Sequence, residues 1–399
     1  MSWEKVKLQD ITEYITDGDH QPAPKSDSGI YFIKIKDIIS NKISFDNALF
    51  VPKEYYQKLR ENKKPQKNDV LYTVVGSFGI ASYVNNNIDF CFERNIALLH
   101  PNDKVNPYFL YLSMRSERFY QEACNIANGA AQKLIPLSKL QNLEIPLPPL
   151  DIQNRIASIL SRYDDLIENY QHQIQLLEEA AQRLYKEWFV DLHFPGYENT
   201  NIVDGVPEGW EKKSVGELGS VITGKTPSTS NTNYYGGNIP FVTIPDMHCG
   251  IYPQTSTFLT KEGADSQKGK YLPKDSLIVS CIGTAGLVGI TQEICQTNQQ
   301  INSLILNDRE LLYYMFCKFK QLKEHLNNIG SNGATMTNVN KSKFEKIEII
   351  IPRTEELRNF SKYCTSIFLH IRNLTSQVRL LTEARDRLLP KLMSGEITV

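Results

Sequence analysis

Over most of its length this chain is written twice, so whatever it folds into must be built from two copies of one plan. Trp3-Glu4-Lys5 returns as Trp210-Glu211-Lys212, Ile15-Thr16 as Ile222-Thr223, and Gly76-Ser77-Phe78-Gly79 as Gly283-Thr284-Ala285-Gly286. Asn128-Gly129-Ala130 returns as Asn332-Gly333-Ala334, and the spacing stays near two hundred residues of the 399. The clearest match is Gln173-Ile174-Gln175-Leu176-Leu177-Glu178-Glu179-Ala180 against Gln377-Val378-Arg379-Leu380-Leu381-Thr382-Glu383-Ala384. The halves are diverged duplicates.

Within each half the pattern changes at a proline signal, Pro146-Leu147-Pro148-Pro149 and then Ile351-Pro352. Upstream, short alternating runs such as Tyr31-Phe32-Ile33-Lys34-Ile35-Lys36 and Phe241-Val242-Thr243-Ile244, punctuated by Gly, Asn and Pro, predict half-buried strands and turns. Residues 108–124 and 310–329 read as helices, which makes each upstream part mixed α+β. Downstream, apolar residues alternate at spacings of four and three: Ile156, Leu160, Tyr163, Ile167, Tyr170, Ile174, Leu177, Ala181, Leu184 and Trp188. The second copy gives Phe360, Cys364, Ile367, Ile371, Leu374, Val378 and Leu381, then Arg385, Leu388 and Leu392, one seam with one charged departure.

Such a stripe demands a partner helix, because leaving it in water forgoes ~1.5–3 kcal/mol per large side chain. Two copies in one chain make intramolecular antiparallel pairing the simplest solution; pairing with other coiled coils, or packing on the neighbouring globular part, is the alternative. Pro390 should kink or end the second helix early, leaving a short tail from Gly395. The expected fold is α+β: two mixed α/β domains, residues 1–148 and 196–352, each followed by a helical segment, residues 149–195 and 353–399. The two helices form an antiparallel coiled coil inside a pseudo-twofold repeat.

With 41% hydrophobic, 10% aromatic and 22% charged residues, the composition is that of a globular protein in water. No signal-peptide core follows Met1 and no apolar run reaches membrane-spanning length, so a cytoplasmic protein without a membrane is expected. Seven scattered cysteines without a C-x-x-C spacing read as reduced thiols rather than as a zinc or redox site. A formal net charge of −1 does not announce a nucleic-acid binder, although local segments can still be basic.

Several motifs tempt and fail. Gly219-Ser220-Val221-Ile222-Thr223-Gly224-Lys225-Thr226 matches the phosphate-loop pattern letter for letter. That loop needs a buried strand leading in and a helix leading out, whereas here the entry is polar and the exit is Pro227-Ser228-Thr229-Ser230-Asn231. The glycine pairs at 76/79 and 283/286 are incomplete dinucleotide fingerprints; tight turns with positive φ explain them, and a functional version would bring backbone close to a DNA phosphate. Pro245-Asp246 lacks the second acid and lysine of a nuclease, and the only double proline, in Leu147-Pro148-Pro149-Leu150, is not an adenine-methyltransferase loop. Neither catalytic signature is present, and the dispersed histidines offer no metal set, so no metal ligand is expected.

With that plan on the page, the chain resembles the specificity subunits of type I restriction-modification enzymes over essentially its full length. The residues carrying the resemblance are the openings at 3–11 and 210–218, Thr223-Gly224-Lys225-Thr226-Pro227, the two glycine turns, and Leu147-Pro148-Pro149-Leu150-Asp151-Ile152-Gln153 before the heptads. The family more often has Glu-Gln at Ile152-Gln153, and the second copy, Thr354-Glu355-Glu356-Leu357, lacks the glutamine. The resemblance implies two target-recognition domains, each reading one half of a split duplex DNA sequence, with the helices as spacers. It implies two modification subunits that carry S-adenosylmethionine for adenine N6-methylation, and ATP- and Mg2+-dependent restriction subunits, with no catalytic residue in this chain and no cofactor bound by it.

For the DNA-reading residues, polar side chains on strands and turns are the candidates. Lys34 and Lys36, alternating with Ile33 and Ile35, would lie on the face opposite the apolar one. Ser77, Arg94, Asn95, Gln132 and Lys133 complete the set in the first half; Lys225, Thr243, Thr284, Gln299, Gln300 and Asn338 form it in the second. Amides and arginines suit bidentate base contacts. The run Lys53, Tyr55, Tyr56, Lys58, Arg60, Lys63, Lys64, Lys67 could follow phosphates, or be a solvated surface. The competing readings are a self-contained methyltransferase or nuclease with degenerate motifs, and a coiled-coil adaptor without DNA binding. A helix of about forty residues at ~1.5 Å rise spans on the order of 60 Å, one to two turns of duplex at ~34 Å each. Adding one heptad-sized block to both helices should therefore lengthen the spacer between half-sites; an unchanged spacer in the mapped methylation motif would refute that geometry.

Overall fold

The structure is a computed structural model that describes residues 3–20, 22–128, 133–248, 250–331 and 337–399. Contacts divide the chain into two compact units, residues 1–168 with 378–399, and residues 169–377. Each unit therefore takes in one end of both long helices, Leu150–Phe189 and Thr354–Ser394.

The first unit holds a four-stranded antiparallel sheet in the order Thr12–Asp17, Ile96–Pro101, Val70–Thr73, Ala81–Tyr83. A three-stranded sheet lies with it, Leu49–Val51, Ile30–Ile33, Phe90–Phe92, the last pair parallel. The opening strand Glu4–Lys7 pairs with Glu144–Leu147, Glu4 opposite Leu147. The second unit repeats this strand for strand: Gly219–Thr223, Ile301–Leu306, Leu277–Ser280, Val288–Ile290; then Phe258–Leu259, Tyr235–Val242, Gln296–Thr297; and Glu211–Ser214 paired with Glu348–Ile351. The repeated Trp-Glu-Lys opening and the repeated proline exit are thus two strands of one ribbon. The ribbon ends where the prolines withdraw a backbone donor, and the long helix begins there.

Two expected elements are cut differently. The helix at 108–124 is two, Pro107–Arg115 and Glu117–Ile126, because Ser116 leaves the helical region and its hydroxyl accepts the Phe119 N–H at 3.3 Å. Its counterpart is Leu312–Gln321 and Lys323–Ser331. The strand expected through Lys36 stops at Ile33: the Asp37 carboxylate accepts the Lys34 N–H at 2.9 Å and closes a 3-10 turn, Ile35–Asp37. Asp246 accepts the Thr243 N–H at 2.7 Å in the same way, so Phe241-Val242-Thr243-Ile244 ends as a strand at Val242. Lys34 and Lys36 consequently do not share a strand face.

Each globular core is completed by both long helices. In the first unit Ile156, Ala157 and Leu160 join Leu389 and Leu392 under Phe109, Leu112 and Phe119. In the second, Ala181, Tyr185, Trp188 and Phe189 join Phe360, Cys364, Phe368 and Ile371, with ring centroids 5.0 Å apart for Phe189–Phe360 and 5.9 Å for Trp188–Phe360. The early part of one helix packs with the late part of the other in both units, which is the antiparallel arrangement. Of the expected seam, Ile156, Leu160, Ile167, Phe360, Ile371 and Leu374 are buried. Tyr163, Tyr170, Ile174, Leu177, Leu184, Ile367, Val378, Leu381 and Leu388 are half-buried. Tyr185, Phe189, Phe368 and Leu389 are buried outside the heptad stripe, because each helix buries a second face against the globular part of its unit.

The charged departure has a partner. Arg385 donates from Nη1 to Asp164 Oδ1 at 2.5 Å and from Nη2 to Asp386 at 2.8 Å, while the Tyr108 hydroxyl donates to the other oxygen of Asp164. Pro390 does not end the helix, which runs to Ser394 before Gly395 turns at φ +72°. A proline near a helix end interrupts little of the hydrogen-bond ladder, and buried Leu389 and Leu392 hold the turn on the core. In a thermal-unfolding double-mutant cycle, Asp164→Ala and Arg385→Ala should each destabilise, with a coupling of about 1–2 kcal/mol after allowing for partial exposure; additive losses would show that the pair is not coupled.

Candidate nucleic-acid interface

In each unit three chain segments meet at one corner of the four-stranded sheet, held by the same hydrogen bonds. The buried hydroxyl that ends the third strand, Thr73 or Ser280, accepts a backbone N–H from beyond the glycine turn, Ile80 at 2.8 Å or Leu287 at 2.8 Å. The carbonyl of the same residue accepts the N–H of the second glycine, Gly79 or Gly286, at 2.9 Å. Both glycine pairs have positive φ: 78° and 86° at Gly76 and Gly79, 77° and 90° at Gly283 and Gly286. These are structural turns, as their spacing suggests, and they leave Ser77 and Thr284 exposed at the tip.

The next residue along, Val74 or Cys281, donates its N–H to Asn95 O at 2.9 Å or Gln300 O at 2.8 Å. Its carbonyl accepts from Ile135 at 3.1 Å or Val339 at 2.9 Å. The turn carrying Arg94 and the turn carrying Gln299 close identically, Ile96 N–H to Glu93 O at 3.1 Å and Ile301 N–H to Asn298 O at 3.2 Å. Arg94 and Gln299 therefore occupy the same place, and both are exposed. A third repeated contact locks the corner: a Cβ on Gly18 would stand 2.1 Å from Phe92 O, and one on Gly224 would stand 2.2 Å from Asn298 O.

That contact also disposes of the phosphate-loop match. Its first five residues are the strand Gly219–Thr223, Gly224 is pressed on the neighbouring turn, and Lys225 donates its N–H to Thr297 O at 2.9 Å. The next element in the chain is a 3-10 turn, Thr232–Tyr234, so no helix N-terminus follows the lysine.

In the first unit, Arg94, Asn95 and Lys34 line one cleft together with Lys25 and His20. Glu93 draws that cleft together by accepting the Ile35 N–H at 2.7 Å. Lys36 stands exposed outside it, 3.9 Å from Asp37. Lys133 reaches Cys124 Sγ at 3.1 Å and lies 5.9 Å above the Phe78 ring, beside the tip that carries Ser77. Gln132 and the repeated Asn-Gly-Ala segments fall largely outside the described residues. In the second unit, Asn338 is exposed and its own backbone bridges Ile282, next to Gly283 and Thr284. Gln300 is half-buried with its Oε1 accepting from Asn298 at 3.0 Å, and the Thr243 hydroxyl is spent on Asp246 at 2.8 Å. Lys25, His20 and Thr226, which donates to Gln299 Oε1 at 2.7 Å, are the corner residues that sequence reasoning passed over. The repeat could have pointed to them only if the intervening loops had equal lengths.

Burial pushes the thiol of Cys281 up to about 12, and that of Cys295 likewise, so both stay protonated at neutral pH. Among the described residues no group of three or more His, Cys, Asp or Glu side chains could hold a metal, and no helix is long and apolar enough to cross a membrane. The arrangement offers exposed donors and acceptors on a rigid, twice-built backbone, which is equipment for recognition.

Comparison with known proteins identifies what is recognised. The family model described as the type I restriction modification DNA specificity domain matches residues 1–179 and 207–371. The chain belongs to that specificity family. The HindI specificity subunit of Haemophilus influenzae is 31% identical over 99% of this chain and 99% of its own. The MjaIX specificity subunit of Methanocaldococcus jannaschii is 30% identical over 77% of this chain and 72% of its own. The crystal structure of the S subunit from M. genitalium shares the fold, with a TM-score of 0.60 at 16% identity, covering 98% of this chain and 96% of that one. The two matched segments are the two copies found in the sequence, so the family's DNA specificity domain is present twice. Gly224→Ala should lower the melting temperature by the equivalent of about 1–3 kcal/mol, since backbone meets backbone there. Gly269→Ala, with nothing within 4 Å of the added carbon, should cost little; equal effects at both positions would show that the close approach is not what holds the corner.

Proposed function

We propose that each unit presents its corner to one half of a bipartite duplex DNA target and that the chain acts as a non-catalytic reader, delivering methylation and cleavage by partner subunits to that sequence. The observation that carries this reading is the contrast between an identical hydrogen-bonded corner and different exposed side chains upon it. A protein that reads two sequences with one fold needs a fixed frame and variable tips. Lys34, Lys36, Ser77, Arg94, Asn95, Gln132 and Lys133 serve the first half-site, and Lys225, Thr243, Thr284, Gln299, Gln300 and Asn338 the second. Thr243, whose hydroxyl is bonded to Asp246, and Gln300, half-buried and bonded to Asn298, contribute through the backbone they fix.

The partners are two modification subunits, which bring S-adenosylmethionine to adenine, and restriction subunits, which bring ATP and Mg2+. The long helices support docking: Leu166, Leu176, Leu369 and Leu380 leave between 43% and 55% of their surface open although they lie on helices whose other faces are buried. The site of action is the cytoplasm, where the DNA is. The test is to co-express the chain with the modification subunit of its own system and map methylated adenines in the host DNA by single-molecule sequencing. A split motif that disappears without the chain, and changes in one half only when residues 1–148 are exchanged for those of a relative, is the expected result. Methylation that ignores the chain would end the specificity role.

A further inference from the structure

We propose that Arg94 and Gln299 are the base-reading side chains of the two units and that they select different bases, Arg94 a guanine in one half-site and Gln299 an adenine in the other. The inference rests on the DNA-reading function above and deepens it to the chemistry of each half-site.

The two residues stand at the same point of the same turn, closed by the same backbone bond and braced by the same neighbour, Val74 on Asn95 and Cys281 on Gln300. The frame is equal, so any difference in what is read comes from the side chain. Arg94 is exposed and makes no hydrogen bond or ion pair among the described residues. A guanidinium offers a fork of donors and no acceptor. Guanine is the base that shows two adjacent acceptors, O6 and N7, in the major groove. Lys34 and Lys25 line the same cleft and suit a phosphate beside the base, while the cleft's carboxylates are Asp19 and Glu93, and Glu93 accepts the Ile35 N–H.

Gln299 is held differently. The Thr226 hydroxyl donates to its Oε1 at 2.7 Å, which restrains the exposed side chain and leaves the Nε2 donors and the second lone pair of Oε1 unused among the described residues. A donor beside an acceptor matches adenine, whose N7 accepts while its N6 amino group donates. In the place that Lys34 takes in the first unit stands Thr243, neutral and already bonded to Asp246. At that position the second unit is thus neutral where the first carries a cation. Thr226 is a positioning residue: it touches no base and sets the angle of the side chain that does.

The test uses the full chain purified with the modification subunit of its own system, presented with a pool of random duplexes whose bound fraction is sequenced. The expected wild-type motif is bipartite, with a fixed guanine in one half and a fixed adenine in the other. Arg94→Ala should relax only the guanine, lowering discrimination there about five- to hundredfold, and Gln299→Arg should replace or relax only the adenine. Thr226→Val should relax that same adenine without shifting the melting temperature, and Thr226→Ser should restore it. A bipartite motif that Arg94→Ala and Gln299→Ala leave unchanged overturns the inference while the two-unit reader stands. Loss of all selection in Arg94→Ala that Arg94→Lys does not recover gives Arg94 a structural role and overturns it as well. A wild-type complex that selects no split motif overturns the reader itself.

Discussion

The rest of the structure depends on burying two apolar stripes that neither long helix can bury alone. Leu150–Phe189 and Thr354–Ser394 each carry large apolar residues on more than one face, and each face left in water would cost about 1.5–3 kcal/mol per side chain. Antiparallel packing satisfies both helices and has a consequence for the globular parts. The core under Phe109 and Phe119 is closed by Leu389 and Leu392 from the far end of the chain, and the core around Phe316 and Phe319 is closed by Tyr185 and Trp188 from the middle. The compact units therefore do not coincide with the two copies in the sequence. Each is completed by a helix that the other copy encodes.

On that base the recognition corner can be stiff where it is repeated and variable where it is exposed. Thr73 and Ser280 are fully buried and spend their hydroxyls inside the turn they stabilise. Without that hydroxyl the Ile80 or Leu287 N–H would lose its acceptor, which favours Thr or Ser at this position. Gly18 and Gly224 are fixed by contact with backbone oxygen, which no side chain can yield to. The Arg94 side chain is held by no hydrogen bond among the described residues, and that of Gln299 by one, from Thr226. A duplicated reader can change such tips without disturbing the frame, because the frame makes no hydrogen bond to the guanidinium at all and only one to the amide.

What could be read from the sequence followed from periodicity and repetition. The heptad spacing located both helices, and the repeated openings and proline exits proved to be the two strands of one ribbon. The missed features are those decided by a single polar side chain. Ser116 divides a helix whose apolar pattern runs through it unbroken. Asp37 and Asp246 stop strands whose alternation would have carried on, and here a signal was available, since each aspartate stands three residues after the residue whose N–H it accepts. Pro390 misled in the opposite direction, because packing of Leu389 and Leu392 outweighs the lost donor. The proposed base-reading tips were only partly legible: Arg94 and Gln299 could be picked out by side-chain type, whereas Thr226 meets Gln299 through a hydrogen bond across seventy-three residues of sequence, which periodicity does not encode.

Divergence has also made the two helix junctions chemically unlike. In the first unit Asp164 receives Tyr108 and Arg385, a polar junction in which every charge has a partner. The helical match of Gln173 to Gln377 puts Phe368 at the place of Asp164 and Ala181 at the place of Arg385. There the second unit is apolar: Phe368 stacks on Tyr313 with centroids 4.3 Å apart, and Ala181 is buried in the same cluster. The register set by Phe189 on Phe360 brings Ala181 level with Phe368, eight residues along each helix. Exchanging one helix for a copy of the other would set a guanidinium against Phe368 or a carboxylate against Ala181, and a buried charge without its partner is far more costly than the pair it left. The halves began as equivalents, and the seam now suits each helix to the other and not to itself.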